Sequence, residues 1–247
     1  MSSRYLHPVL CINLFLSALI VSSCTKKLST PLLTEEERLE IIRENIAFRA
    51  EREEFFRKRS DSPFHFDTTL TYSWVNWYPI DPHYRGFSIL HRYADRETVV
   101  VMSTGGEMRK QVRYGYFEFT LPGEGGPVTV KLNVYKPTPD DSLEYTPTDD
   151  LLSVWFTDET TGIETYEVGR YVDVGRENPD PAHVYAIDLN MAYNPFCAYS
   201  ELYSCAIPRK EDHIPVPLRV GEKKYLPRQN DEKQKTARRP IHDSTES

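Results

Sequence analysis

The stretch Y-F-E-F-T-L-P-G-E-G-G-P-V-T-V-K-L-N-V-Y, residues 116–135, decides the fold. In its first half Phe117, Phe119 and Leu121 alternate with more polar residues, and apolar residues alternate in the same way from 128 to 134. A period of two places every second side chain on one face of an extended strand. The intervening segment 122–127 contains only Pro, Gly and one Glu, which favours a turn. The stretch therefore predicts a β-hairpin with one buried face.

Segments with strand composition continue on both sides of this hairpin: 87–93, 98–103, 151–156, 165–168 and 184–189. The alternation of strands and helices that is typical of a parallel sheet is absent. We therefore expect a mainly β domain, either an antiparallel β-sandwich or a partly closed barrel, with one N-terminal helix.

The predicted helix runs from Thr34 to Lys58. Thr34 and Glu37 have the spacing of a capping box, and the acidic residues 35–37 suit the positive end of the helix dipole. We expect an apolar stripe of this helix to dock on the sheet, formed by Leu39, Ile41, Ile42, Ile46, Phe48, Phe55 and Phe56.

The first 24 residues predict export and lipid attachment. Arg4 precedes a mostly apolar run, 9–21, which is shorter than the roughly 20 residues that a membrane-spanning helix needs. The run ends in V-S-S-C, a lipobox pattern in which Cys24 is the lipidated residue. An ordinary signal peptide that contains a cysteine is the alternative. We expect a lipoprotein signal peptide over 1–23 and a lipidated tether over 24–33.

This processing predicts a location in the cell envelope. The palmitate-bearing Cys24 would make the membrane a partner of the protein, with the domain anchored in the outer membrane and facing the periplasm. We expect a single β-rich domain over 34–225, because the chain is 39% hydrophobic and 12% aromatic. The tail over 226–247 has few apolar residues and is predicted to be disordered.

The net charge disfavours one class of partner. The formal charge of the chain is −7, whereas nucleic-acid binding depends on Lys and Arg contacts with phosphates. We therefore expect no nucleic-acid partner.

Two of the four cysteines, Cys197 and Cys205, remain after the leader is removed and Cys24 is lipidated. In an oxidising envelope they can form one disulfide, which over so short a loop contributes roughly 2.5 kcal/mol. We predict this bridge, and two separate buried thiols are the alternative. A metal site is disfavoured, because zinc takes four ligands and no Cys-x-x-Cys or His-x-x-x-His motif accompanies the pair.

Many short motifs in a fixed order identify a resemblance. They include W-Y-P-I-D (77–81), S-T-G (103–105), L-N-V-Y (132–135), G-R-Y (169–171), D-L-N (188–190), A-Y-N-P (192–195), C-A-Y (197–199) and G-E (221–222). With them the chain resembles the domain-of-unknown-function family 1684 from about 46 to 223. The resemblance implies membership of a family without a characterised function. The family usually has Pro after its second cysteine, whereas Ala206 follows Cys205 here, so the 206–213 loop departs from the family pattern.

The polar residues between 158 and 222 form the candidate site. Arg170 can bind a carboxylate or phosphate through two parallel hydrogen bonds. The predicted ligand-binding residues are Arg170, Tyr171, Asp188, Asn190, Tyr193, Asn194 and Tyr199. The alternative is structural: an internal pair of Arg170 with Asp188, a turn at 194–195, and Asn190 bonded to backbone groups. The segment D-E-T-T-G, 158–162, is typical of a β-turn.

Familiar catalytic motifs are missing from the sequence: it contains no G-x-S-x-G elbow, P-loop, H-E-x-x-H or G-x-G-x-x-G. Catalytic residues therefore stay unassigned, and no cofactor or metal is predicted. A Cys–His pair, or a carboxylate pair drawn from Asp158, Asp173, Asp188 and Glu222, is open. We expect an envelope lipoprotein that serves as a structural module or binds a small polar ligand. The alternative is an enzyme, such as a hydrolase, that acts on a small polar substrate.

Overall fold

The computed structural model describes residues 33–138 and 150–226. The predicted signal peptide, Cys24, nearly all of the tether, and the tail from 227 onward lie outside these residues. The described part of the chain forms helices α1 (Glu35–Lys58) and α2 (Pro63–Phe66) and strands β1 (Arg85–Ile89), β2 (His91–Met102), β3 (Met108–Leu121), β4 (Val128–Pro137), β5 (Leu151–Asp158), β6 (Arg170–Arg176), β7 (Val184–Asp188) and β8 (His213–Ile214). Neither of these helices has the combined length and apolar character that crossing a membrane requires.

The strands form a partly closed barrel. Strand β1 pairs with β7, β3 lies between β2 and β4, and β5 lies between β6 and β8. The pairs are antiparallel except β5 with β8, which is a short parallel pair. Contacts of β1 with β3, of β4 with β5 and of β6 with β7 join the three sheets into a ring. The prediction of a mainly β, antiparallel fold with an N-terminal helix is confirmed.

The hairpin of β3 and β4 supplies the centre of the core. Phe117 lies opposite Leu132 in the antiparallel register, and Phe119 lies opposite Val130. All four side chains are buried. Because burial of a Leu, Val or Phe side chain contributes about 1.5–3 kcal/mol, this face is a main source of stability. The predicted hairpin with one buried face is confirmed.

One predicted strand is wrong, and two strands, β6 and the two-residue β8, were not predicted. Residues 165–168 form a turn, in which the Thr165 amide donates to the Thr160 carbonyl at 3.1 Å. The turn ends at Gly169, whose φ of +118° and close approach to the Phe156 carbonyl exclude a side chain. Strand β6 begins immediately afterwards. Its sequence R-Y-V-D-V-G-R carries charges and a glycine, so it has weak strand character in isolation.

Helix α1 begins as predicted. The Thr34 side chain accepts a hydrogen bond from the Glu37 amide, and the Glu37 side chain accepts one from the Thr34 amide. This reciprocal pair is a capping box, which satisfies two backbone donors at the start of the helix.

The buried face of α1 differs from the predicted apolar stripe. Ile41, Asn45 and Phe56 are buried, whereas Leu39 and Ile46 are 49% and 57% exposed. The reason is the surface on which the helix docks, because that surface presents carboxylates and carbonyls beside its apolar groups. Asn45 Nδ2, for example, donates to Asp188 Oδ2 at 2.7 Å. Polar residues of the helix therefore face inward.

Truncation of Phe56 tests this docking face. Phe56 is fully buried and packs against the rings of Phe64 and Tyr199. We expect Phe56→Ala to lower the free energy of unfolding by about 3–5 kcal/mol, because it leaves a cavity between α1 and the cluster formed by α2 and the neighbouring loops. Ile46→Ala, on the exposed face, should change it by no more than about 0.5 kcal/mol. Urea denaturation measures both, and similar losses for the two variants would show that the face is assigned wrongly.

Candidate functional site

Arg170, the first residue of β6, is a buried structural residue. Its side chain is 1% exposed, and Nη2 lies 2.9 Å from Asp158 Oδ2. The guanidinium also donates to three backbone carbonyls, those of Leu218 at 3.0 Å, Glu222 at 3.2 Å and Val220. With these bonds made, little of the guanidinium is left to bind a ligand. The predicted role of Arg170 as a ligand anchor therefore finds no support in this geometry.

The carboxylate partner of Arg170 is Asp158, so the prediction of Asp188 is wrong. Arg170 lies opposite Phe156 in the pairing of β6 with β5, and Asp158 is two residues further along the same face of β5. Asp158 also accepts bonds from the amide and hydroxyl of Thr160, at 2.7 and 2.6 Å. These bonds build the turn predicted for D-E-T-T-G, in which Gly162 has a φ of +81°.

Asp188 holds the middle of helix α1, and Asn190 holds the segment at Asp81. Asp188 pairs with Arg85, its register partner on β1, at 2.8 Å, and accepts the bond from Asn45 of the helix. Asn190 bonds to both the amide and the carbonyl of Asp81, each at 2.8 Å. This agrees with the structural alternative for Asn190, which predicted bonds to backbone groups.

Asn194 and Tyr199 surround a second buried carboxylate, that of Glu222. Asn194 Nδ2 donates to Glu222 Oε1 at 2.8 Å, and the Tyr199 hydroxyl donates to the same oxygen. Burial raises the pKa of Glu222, although Arg52 of helix α1 opposes this with its Nε 3.4 Å from Oε2. Asn194 and Tyr199 are thus fixed by a carboxylate that itself anchors the helix.

The remaining predicted residues, Tyr171 and Tyr193, lie on the other face of the sheet. Consecutive residues of a strand point to opposite faces, so Tyr171 cannot share a site with Arg170. It shares its face with Asp173, two residues further along β6, and with Trp155, its partner on β5. Tyr193 forms an isolated bridge with Tyr171. We call the group of Trp155, Tyr171, Asp173 and Tyr193 the aromatic cleft.

The rings of the aromatic cleft form a continuous surface. The Trp155 and Tyr171 centroids lie 5.7 Å apart, and those of Tyr171 and Tyr193 lie 6.1 Å apart. The guanidinium of Arg52 covers the Tyr193 ring at 4.5 Å. On the other side, the Tyr171 hydroxyl donates to the Ala206 carbonyl. Helix α1 and the 203–207 segment therefore flank the rings.

Asp173 supplies the charge of the aromatic cleft. The Tyr193 hydroxyl donates to its two carboxylate oxygens, at 3.1 and 3.2 Å. Asp173 is exposed, yet desolvation by the surrounding protein raises the pKa of its carboxyl, against the opposing effects of Tyr193 and Arg52. The Asp173 carboxylate is therefore accessible to solvent while its position is fixed by the Tyr193 hydroxyl.

Cys197 and Cys205 lie beside this cleft as free thiols, so the predicted disulfide is not present. The Cys205 sulfur accepts a hydrogen bond from the Cys197 amide at 3.4 Å, and the Tyr166 hydroxyl donates to the Cys197 sulfur at 3.5 Å. The loop is instead held by hydrogen bonds. The Thr104 amide donates to the Cys205 carbonyl at 2.9 Å, and the Cys205 amide donates to the Thr104 hydroxyl at 3.0 Å. These two bonds hold the loop at the position where a disulfide was predicted.

A metal centre is not found in the part of the chain that the structure describes. No group of three or more His, Cys, Asp or Glu side chains in 33–138 and 150–226 is placed to hold a metal ion.

Several residues of the aromatic cleft and the thiol pair were not singled out from the sequence. No function was predicted for Arg52, Trp155, Thr104 or Tyr166, and they come from four separate parts of the chain. Asp173 appeared only as one of several carboxylates. The spacing Tyr171-x-Asp173 would have placed both residues on one strand face, once β6 was recognised as a strand.

Replacement of Arg170 tests its structural role. We expect Arg170→Ala to lower the free energy of unfolding by about 3–5 kcal/mol, because the buried Asp158 carboxylate would lose its partner. Arg176→Ala is the matched control on the same strand, since its bond to Asp150 is exposed and solvent-screened. Chemical denaturation should show a large loss for the first variant only. A small loss at Arg170 would contradict the assignment.

Comparisons with known proteins place the chain in a family. A family described as "Protein of unknown function (DUF1684)" matches residues 71–223. Among solved structures, the chain is similar to the solution NMR structure of an uncharacterized protein of Haloarcula marismortui. The two are 25% identical, the match covers 77% of this chain and 97% of the other, and the TM-score is 0.55.

A search of the curated proteins gives no match. The family match confirms the resemblance carried by the short motifs, and it spans more than half of the 247 residues. The chain belongs to the protein family of unknown function DUF1684.

Proposed function

We propose that the domain binds a small polar ligand in the aromatic cleft and that a lipidated Cys24 holds it in the cell envelope. The observation that carries the ligand proposal is Asp173. Its carboxylate lies on the same face as the rings of Trp155 and Tyr171 and is exposed to solvent. Partial desolvation by the surrounding protein raises its pKa. By contrast, the buried carboxylates of Asp158, Asp188 and Glu222 are occupied by structural bonds.

The chemistry of the cleft restricts the ligand class. An ionised carboxylate only accepts hydrogen bonds, so the ligand must present hydroxyl or ammonium donors to Asp173. The half-buried faces of Trp155 and Tyr171 suit an apolar surface or a cation. A sugar or amino sugar has both features, since its hydroxyl or amino groups border a face of C–H groups. We infer that saccharides are the ligand class.

The surroundings of Asp173 favour binding without rearrangement. Tyr193 holds the carboxylate by its hydroxyl, and Arg52 fixes the Tyr193 ring from helix α1. Arg52 is in turn held by the Asn194 carbonyl at 2.7 Å and by Glu222. A site whose side chains are already held loses less conformational entropy when a ligand binds.

An enzyme acting on a small polar substrate is the second candidate. The same observation favours it, because a solvent-accessible carboxyl whose pKa is raised has the properties of a general acid or base. Binding without turnover distinguishes the first candidate from the second.

Replacement of Asp173 tests the ligand proposal. N-acetylglucosamine, glucosamine and glucose serve as probes in ligand-observed NMR titrations of the purified protein. We expect Asp173→Asn to weaken binding of the responding probe by roughly 10- to 100-fold, because a hydrogen bond to a charged group contributes about 1.5–3 kcal/mol. Asp180→Asn, in the exposed loop before β7, is the matched control. Preference for glucosamine would indicate recognition of the ammonium group.

Two results would count against this proposal. The first is an absence of saturable binding for all three sugars at millimolar concentration. The second is equal affinity of Asp173→Asn and the unaltered protein for a sugar that binds.

Substitution of Cys24 tests the anchor. Globomycin, which blocks lipoprotein signal processing, should make an unprocessed form accumulate, and Cys24→Ser should abolish palmitate labelling and membrane fractionation. Cys11→Ser is the matched control, because it removes a cysteine of the leader that lies outside the lipobox. Membrane anchoring of Cys24→Ser at the normal level would refute lipidation at this position.

A further inference from the structure

The two cysteines beside the aromatic cleft have no part in the proposed ligand binding. Both are half-buried, and they lie on one loop, with Cys197 in the 3-10 turn Phe196–Ala198. We propose that Cys197 is an oxidisable thiolate and Cys205 its resolving thiol, so that the pair forms a site of reaction with hydroperoxides. This inference goes beyond ligand binding and does not depend on it.

Hydrogen-bond donors converge on the Cys197 sulfur. The Tyr166 hydroxyl donates to it at 3.5 Å. The Thr104 oxygen accepts a bond from the Cys205 amide at 3.0 Å, which leaves the hydroxyl proton of Thr104 free to point at the same sulfur. The hydroxyls of Tyr166 and Thr104 therefore both favour the anionic form of Cys197. The Cys205 sulfur, by contrast, accepts a single bond, from the Cys197 amide at 3.4 Å.

The two thiols consequently titrate in opposite directions. The hydrogen bond from Cys205, followed by those of Tyr166 and Thr104, lowers the pKa of Cys197 to about 6, although burial opposes it. The same bond to Cys197, together with burial, raises the pKa of Cys205. The pair thus holds one thiolate and one protonated thiol at neutral pH, and the thiolate is the form that reacts.

The other titratable groups near the pair do not reverse this asymmetry. Burial raises the pKa of Tyr166 and of Tyr171, so both remain protonated near neutral pH. The amide of Cys197 and the charge of Arg109 favour the anionic form of Cys205, but the side-chain bond to Cys197 and burial outweigh them and raise the pKa of Cys205.

The proposed reaction has two steps. The Cys197 thiolate attacks the terminal oxygen of a hydroperoxide: an S–O bond forms, the O–O bond breaks, and the departing alkoxide takes up a proton as an alcohol. Cys197 is now a sulfenic acid. Cys205 then attacks the Cys197 sulfur, an S–S bond forms, and the S–O bond breaks. The proton of Cys205 leaves with the hydroxide as water. Two thiols are oxidised and one hydroperoxide is reduced.

This proposal differs from the disulfide predicted on the basis of export. A permanent bridge would be present in the resting protein, whereas the structure has two thiols and the bond arises only as a reaction product.

Alkylation by iodoacetamide at different pH values provides the first test. The full-length protein is used, and peptide mass spectrometry separates Cys197 and Cys205 from Cys11 and Cys24. With a pKa of about 6, the rate at Cys197 should rise less than about 1.2-fold between pH 7 and pH 8. An ordinary cysteine thiol gains roughly eightfold over the same interval. A rise of that size at Cys197 would overturn the proposal.

Removal of a donor sharpens this test. Tyr166→Phe should shift the pH midpoint of Cys197 alkylation upward. Tyr203→Phe is the matched control, because Tyr203 belongs to the same loop and packs against Phe196. Equal midpoints for the two variants would show that Tyr166 does not stabilise the thiolate.

Treatment with hydrogen peroxide provides the second test. The unaltered protein should form a bond between Cys197 and Cys205. Cys205→Ser keeps a hydroxyl donor but lacks the resolving thiol, so it should stop at a sulfenic acid on Cys197 that dimedone traps. Cys197→Ser should give no trapped product at Cys205. Equal oxidation of the two cysteines, or trapping at Cys205, would refute the assigned roles, and circular dichroism verifies that each variant is folded.

Discussion

A charge pair that water does not reach joins three parts of the barrel. Arg170 on β6 and Asp158 on β5 face each other at 2.9 Å, and the guanidinium also collects the carbonyls of the 218–222 segment. An isolated ion at this depth would cost several kcal/mol, so the pair persists because the Asp158 carboxylate and both terminal nitrogens of the Arg170 guanidinium are hydrogen-bonded. Since the geometry of five hydrogen-bonding groups must be met together, this interaction fixes where the C-terminal segment lies. The same segment places the Glu222 carboxylate beside Arg52 of helix α1.

Helix α1 is docked by charge and hydrogen bonding at least as much as by apolar packing. Asn45 reaches Asp188 and Arg52 reaches Glu222, each across an interface between the helix and the barrel. Phe56 contributes the buried ring at the C-terminal end. Such polar docking is directional, because a hydrogen bond tolerates less rotation than a hydrophobic contact. The helix is therefore held at one angle, and Arg52 is placed over Tyr193 at the edge of the aromatic cleft.

The parts of the fold that follow from local patterns could be predicted, whereas those that depend on long-range register could not. The alternation in 116–135 and the capping box at Thr34 are complete within a few residues, and both match the structure. The partner of Arg170 depends on which residues of β5 face β6, so sequence alone could not choose Asp158 over Asp188. The prediction of the buried face of α1 was wrong for a related reason. The spacing of apolar residues cannot show that the surface on which the helix docks carries carboxylates. The residues predicted to form one ligand site do not lie together in the structure. Arg170 and Tyr171 are adjacent in sequence, but their side chains point to opposite faces of β6.

The bond from Tyr171 to the Ala206 carbonyl has a consequence for how this protein can be regulated. Ala206 follows Cys205 directly, so a single peptide unit separates the wall of the aromatic cleft from the thiol pair. A ligand that holds Tyr171 in one position also restrains the backbone beside the sulfur. Thermodynamic linkage then makes the effect reciprocal: a ligand that changes the reduction potential of the cysteines must bind the reduced and oxidised forms with affinities that differ by the same free energy. Through the Ala206 carbonyl, ligand occupancy of the aromatic cleft and the oxidation state of the cysteine pair can therefore influence each other.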